Sequence, residues 1–284
     1  MPNIAIVTDS TAYIPPELVK KHAIGVAPQV VIWDGKTYRD GIDITSEEFF
    51  TRLAAAKTMP TTSQVSVVDM QNLFQERVDQ GYEVLGIFLS AKLSGTMQSA
   101  AQAKDLMGSA GNKVTFVDGY ATAMALGFQA LALARAAEGG ANISDLVALA
   151  EKSRDHVGVV FAVDTLEFLH RGGRIGGGQR FLGTVLNMKP VLALEDGRVE
   201  GVDRVRTKSK AHDRVLELVV EKIAGRTPVR LATLHANAME DARDLLARAE
   251  ARLKPVESIF SAVSPAVGVH AGPGTVGLTF MAGL

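Results

Sequence analysis

Short, continuously apolar runs alternate with amphipathic stretches along the first half of this 284-residue chain. Ile4-Ala5-Ile6-Val7 reads as a buried strand that empties into the polar cluster Asp9-Ser10-Thr11. Pro16 suits a first helical turn, Glu17 to Lys21 continue it, and Gly25 restarts an apolar strand running from 26 to 32. Thr45 and Glu48 have the spacing of a capping box, which predicts a helix from 46 to about 56. Another helix starts near Ser66 and carries 67 to 79. Apolar runs at 84–89 and 114–117 then alternate with helical stretches, among them the Ala-rich segment 124–138 and the segment 143–154. Strands that are apolar at every position imply burial on both faces, hence a parallel sheet covered by helices.

From Val157 the texture changes. One strand at 158–163 is followed by a Gly-rich basic stretch, then by apolar runs at 190–194 and 198–205 around Glu195-Asp196-Gly197. Asp-Gly between two such runs is a strong hairpin signal and implies an antiparallel pair. A helix at 207–224, a strand at 229–234, a helix at 239–252 and strands near 258–263 and 275–280 complete the second half. The expected architecture is α/β in two domains. Residues 1–155 form a parallel sheet flanked by helices, and 156–284 form a smaller α/β domain with a mixed sheet.

Composition narrows the function. Hydrophobic residues make up 47% of the chain, enough for a substantial core. With 30 Lys+Arg against 31 Asp+Glu there is no global field to attract nucleic acid, which is disfavoured as the main partner. Cysteine is absent, which removes disulfides, thiolate nucleophiles and Cys-based metal sites and fits a reducing compartment. No basic segment followed by an apolar one opens the chain, and the apolar run at 157–163 is far short of a membrane span. A cytoplasmic location is expected.

Four polar clusters stand out: Asp9-Ser10-Thr11, Thr61-Thr62-Ser63-Gln64, Leu93-Ser94-Gly95-Thr96 and His270-Ala271-Gly272-Pro273-Gly274. The first and third follow strand ends, where open parallel sheets place ligands. Hydroxyl-rich loops offer short neutral donors, although each Ser or Thr also reads as a simple helix cap. The stretch from Leu169 to Gly178 sets Arg171 and Arg174 among five glycines. It is either an anion site or partner-docking loop, or a solvated loop with Arg174 pairing a structural carboxylate. Gly272-Pro273-Gly274-Thr275-Val276-Gly277 matches the dinucleotide glycine pattern only formally, because a strand follows it and the chain stops at Leu284. His22, His156, His212 and His235 lack metal-ligand spacing, and His170 sits beside Arg171. His270, next to a Gly-Pro-Gly turn, is placed to donate to an anion.

These motifs, in order, resemble the DegV family: Val7-Thr8-Asp9-Ser10-Thr11, Tyr38-Arg39-Asp40-Gly41, Thr62-Ser63-Gln64, Leu93-Ser94-Gly95-Thr96, Arg171-Gly172-Gly173-Arg174-Ile175, Lys189-Pro190 and Gly268 to Gly274. The resemblance implies a long-chain fatty acid held in a tunnel between the two domains. It also implies a separate ATP-binding fatty acid kinase subunit that phosphorylates the carboxylate to an acyl phosphate for phospholipid synthesis, with room for transient membrane contact. By motif, Thr62, Ser94 and His270 would bind the carboxylate. Ser63 and Gly95 would lie near the site, and Arg171 near the mouth, towards the partner. On this reading the chain has no catalytic centre, metal or cofactor of its own. The alternatives are a stand-alone hydrolase using Ser94 with His270, or a lipid sensor without a kinase partner. Val65 stands where the family usually has Pro, and Ala12-Tyr13-Ile14 replaces its commoner acidic continuation.

Overall fold

In the computed structural model, which describes residues 3–181 and 188–284, the N-terminal apolar run forms β1 (Ile4–Asp9), followed by α1 (Pro16–Lys21). The apolar stretch from 26 to 32 is two strands rather than one, β2 (Gly25–Ala27) and β3 (Val30–Trp33), and they join different sheets. Pro28 lies at the break, where it has no N–H to give to a ladder. Then come β4 (Lys36–Arg39), α2 (Ser46–Ala54), β5 (Thr61–Ser63), α3 (Val67–Asp79), β6 (Glu83–Phe88), α4 (Thr96–Leu106), β7 (Val114–Asp118), α5 (Ala123–Glu138) and α6 (Ile143–Ser153). The second half contributes β8 (Val157–Ala162), α7 (Glu167–Arg171), β9 (Lys189–Glu195), β10 (Arg198–Val205), α8 (Lys208–Ile223), β11 (Val229–His235), α9 (Met239–Leu253), β12 (Glu257–Ile259), α10 (Pro265–Ala271) and β13 (Val276–Ala282).

The local signals act as their chemistry requires. The Thr45 side chain accepts from Glu48 N while the Glu48 carboxylate reaches back to Thr45 N, a complete capping box at the start of α2. Asp196 and Gly197 both take positive φ in the β9–β10 turn, the conformation a two-residue hairpin needs. The strand expected at 258–263 ends at Ile259. Beyond it, Ser261 N donates to the Thr233 side-chain hydroxyl instead of to a neighbouring backbone.

Sheet one is parallel, in the order β2-β1-β6-β7. Sheet two is mixed, in the order β10-β9-β8-β13-β11-β12, with β12 alone parallel to its neighbour. A small antiparallel sheet, β4-β3-β5, carries the Thr61–Ser63 cluster. One face of sheet two packs on α8 and α9 through Val160, Ala162, Val215 and Leu245. Its other face turns Val159, Phe161 and Leu192 towards α5. Eleven of the sixteen residues of α5 are buried, because it touches β1 and β6 on one side and β8, β11 and β13 on the other. A helix apolar on every side is one enclosed on every side. The apolar cluster around it is continuous between the two sheets.

Candidate functional site

In sheet one, β1 lies between β2 and β6, so the chain winds one way from β1 to β2 and the other way from β6 to β7. Such a reversal leaves a crevice at the carboxyl ends of the two central strands. The loops that leave β1 and β6, Ser10-Thr11 and Leu89 to Ser94, border this crevice. Asp9, wholly buried at the end of β1, ties them together. Its Oδ1 accepts from Thr11 N (3.0 Å) and Thr11 Oγ1 (2.6 Å), and its Oδ2 accepts from Leu89 N (2.8 Å).

Opposite the crevice stand β5, α10 and the loop after α7, and together they line a cavity whose non-atom space, open solvent at its mouth included, is about 840 Å³. Thr62, Ser63, Ser94 and His270 all line it, although they come from three separate parts of the sequence. Ser264 caps α10 by accepting from Val267 N, and Pro265 occupies its first turn. This fixes the helix whose last turn carries His270. The imidazole Nε2 lies 2.8 Å from Thr62 Oγ1. Burial, and then the nearby Arg174 guanidinium, push the His270 pKa down to about 4, so the ring is neutral at physiological pH. Ser94 Oγ lies 3.0 Å from Thr96 Oγ1, the first residue of α4, and Thr96 Oγ1 accepts from Gln29 Nε2 at 2.9 Å. Gln29 itself lines the cavity and is 3% exposed.

The remaining residues singled out in the sequence fall around this site in different ways. Gly95, the N-cap of α4, lies against the Gln64 side chain. Arg171, at the end of α7, is exposed and pairs with Glu167 rather than reaching the cavity. Arg174 does line it, held by the carbonyls of Leu93 (Nε, 3.0 Å) and Gly172 (Nη1, 2.6 Å) rather than by a carboxylate. Gly172 must be glycine for a steric reason, since a β-carbon there would overlap His270 Nδ1. Gln29 and Thr11 also line the cavity; Thr11 belongs to the first of the polar clusters singled out in the sequence, whereas Gln29 was not anticipated. Gln29 sits in the break between β2 and β3, and Pro28 was the signal that the chain turns there.

Away from these groups the lining is mostly aliphatic and aromatic, Thr122 excepted: Leu169 from α7, Val159 and Phe161 from β8, Leu194 from β9, Val199 from β10 and Leu234 from β11. A cavity of this kind, apolar along its length and polar at one end, suits a ligand with a long hydrocarbon body and one small polar head. The Ser94 and His270 side chains bond to Thr96 and Thr62 respectively and not to one another. A nucleophile paired with its base would need that contact. A larger hollow, about 2040 Å³, lies on the other side of the Asp9–Ser10 turn and includes none of Thr62, Ser94 and His270.

A sequence model of the DegV family, described as an uncharacterised protein family, matches residues 3–283. A DegV domain-containing protein of Listeria monocytogenes is 34% identical over 278 residues, 98% of each chain. Among solved structures, a fatty-acid-binding DegV family protein from Thermus thermophilus superimposes with a TM-score of 0.93 at 36% identity, covering 99% of both chains. DegV from Bacillus subtilis, described as a fatty acid binding protein, does so with a TM-score of 0.89 at 32% identity, covering 99% of this chain and 100% of that one. With one family matching from end to end in sequence and in fold, this chain belongs to the DegV family.

Proposed function

We propose that this protein holds a long-chain fatty acid in the cavity and presents its carboxylate, at Thr62, Ser94 and His270, to a separate ATP-dependent kinase subunit that converts it to an acyl phosphate. The observation that carries the reading is the make-up of the cavity, which gathers the hydroxyls of Thr62 and Ser94, a neutral imidazole and a guanidinium and is otherwise lined mostly by aliphatic and aromatic side chains. The fatty-acid-binding relatives of the same fold support it. Burying roughly 14 methylenes at about 0.8 kcal/mol each offers on the order of 11 kcal/mol before ordering costs, so the tail supplies most of the affinity. The head group can then be held lightly. Neutral hydroxyls orient a carboxylate and leave it nucleophilic, whereas a bidentate arginine would bind it harder and reduce its reactivity. On this reading residues 1–155 and 156–284 are the two halves that close on the lipid, and Arg171, exposed beside the polar end, faces the partner.

Native mass spectrometry of the freshly purified protein, followed by denaturing extraction, tests the ligand. The expected result is one fatty acid per chain, and a protein that arrives empty and refuses added fatty acids removes the proposal. The double variant Thr62→Ala with Ser94→Ala is expected to keep its fold while losing acyl phosphate formation with the kinase subunit. Phosphorylation at the unaltered rate would show that the carboxylate is held elsewhere.

A further inference from the structure

Hydrogen-bond direction can be followed from the interior to the cavity. Asp9 has no exposed surface, and both its oxygens accept N–H groups, from Thr11 and Leu89. The Gln29 side chain also faces this carboxyl group, and it lowers the Asp9 pKa against the larger effect of burial, which raises it. An amide oxygen turned towards it would set acceptor against acceptor, so the Gln29 amide presents its NH2 there. The second hydrogen of the same nitrogen goes to Thr96 Oγ1 at 2.9 Å. Since Gln29 donates, the Thr96 hydroxyl hydrogen is free for its other neighbour, Ser94 Oγ, 3.0 Å away. Ser94, already accepting, keeps its own hydrogen for the cavity. The Gln29 backbone is anchored as well, because its N–H donates to Ser10 Oγ at 3.0 Å while Ser10 donates to Asp40 Oδ2 at 2.7 Å.

We infer that Gln29 is a positioning residue for the head-group site: acting through Thr96, it fixes the Ser94 hydroxyl as a donor towards the cavity and so selects a carboxylate over an uncharged head. The imidazole does the same from the opposite side. His270 Nδ1 is buried with no partner among the described residues. An unpaired acceptor is better tolerated than an unpaired N–H, which places the ring proton on Nε2, donating to Thr62. Thr62 then also points its hydrogen into the cavity. Two hydroxyl donors, each polarised from behind, suit two carboxylate oxygens, and chains of this kind strengthen one another.

This inference rests on the proposal that the cavity takes a fatty acid. Its test compares dodecanoic acid with dodecan-1-ol, two heads on one tail, titrated calorimetrically into the delipidated full chain. Gln29→Met keeps the length of the side chain but removes both its donor and its acceptor, so Thr96 Oγ1 is free to accept from Ser94 and the Ser94 hydrogen is no longer kept for the ligand. The ratio of acid to alcohol affinity is expected to fall roughly ten- to a hundredfold, the scale of one lost hydrogen bond to a charged group. Thr96→Val, which keeps the side-chain volume and cuts the relay, guards against misfolding of the first variant, and its ratio is expected to fall by at least about threefold. A ratio equal to the wild-type value in the folded variants overturns the inference, as does an equal loss for both ligands, which marks a packing role. Wild-type protein that binds neither compound overturns the fatty-acid reading itself, a result separable from the other two.

Discussion

Burial moves the pKa values of His270 and Asp40 in opposite directions, and the signs give opposite pH effects. His270 is neutral in the fold, with its pKa lowered from 6.5 to about 4 by burial and by Arg174. The unfolded chain therefore takes up a proton first, and stability is lost as pH falls from 6.5 to about 4. Asp40 is raised from 3.8 to about 6, mainly by burial, against the hydrogen bond from Ser10. Its contribution is fully present below 3.8 and is lost as pH rises through about 6. Each is worth about 3 kcal/mol at most, and between pH 4 and 6 they offset. Urea unfolding across this range should show a shallower acid limb in His270→Gln and a steeper one in Asp40→Asn. An unchanged profile in both would mean that neither group titrates as its burial demands. Loading with a carboxylate should raise the His270 pKa, since an anion nearby favours the imidazolium, and histidine ring resonances followed through a pH titration with and without ligand would report it. At this scale the sequence was legible where a residue type has one use, as with Gly172, forced by the contact with His270. It was not legible where two like residues share a motif. Nothing in Arg-Gly-Gly-Arg says that Arg174 turns inward while Arg171 pairs with Glu167.

Elements were legible where a terminus carried chemistry of its own. The capping box at Thr45, the Asp-Gly hairpin and the cap at Ser66 placed α2, the β9–β10 pair and α3 within about two residues of their observed bounds. The short elements that build the site were harder, because three strand residues or seven helical ones show no period. Thus β5 was seen as a hydroxyl cluster and α10 as the approach to a turn, although Ser264-Pro265 is a cap followed by a first-turn proline. The continuous apolar run from 26 to 32 concealed a change of sheet, since burial on both faces looks alike in either one. The first residue of α5, Ala123, lines the cavity, and among the helices α5 is the one that touches both large sheets. Leu131, wholly buried there, should cost about 2–5 kcal/mol when changed to Ala. A loss under 1 kcal/mol in chemical denaturation would mean that the helix packs more loosely than its burial indicates.

Across the whole molecule, the apolar cluster that holds Trp33 and Phe49 also holds Phe161, Leu192 and Met281. Arg135 of α5 adds a bidentate pair with Glu257 of β12 (2.9 and 2.7 Å), and Arg230 joins the same carboxylate. Shared packing of this kind predicts a single unfolding transition. Fluorescence of Trp33, the chain's one tryptophan, should coincide with far-UV circular dichroism through a urea titration. Two separated midpoints would show the halves unfolding independently. A ligand at a hundred times its Kd should add about 2.7 kcal/mol to the unfolding free energy and move the common midpoint up accordingly.

The hydrogen bond between Thr62 and His270 spans 208 positions of sequence. A ribosome adding about 5–20 residues per second makes the second partner roughly 10 to 40 s after the first. Throughout that interval the nascent chain has β5 and its hydroxyls but no imidazole to set them against, so the polar end of the cavity cannot be assembled until His270 itself has been made.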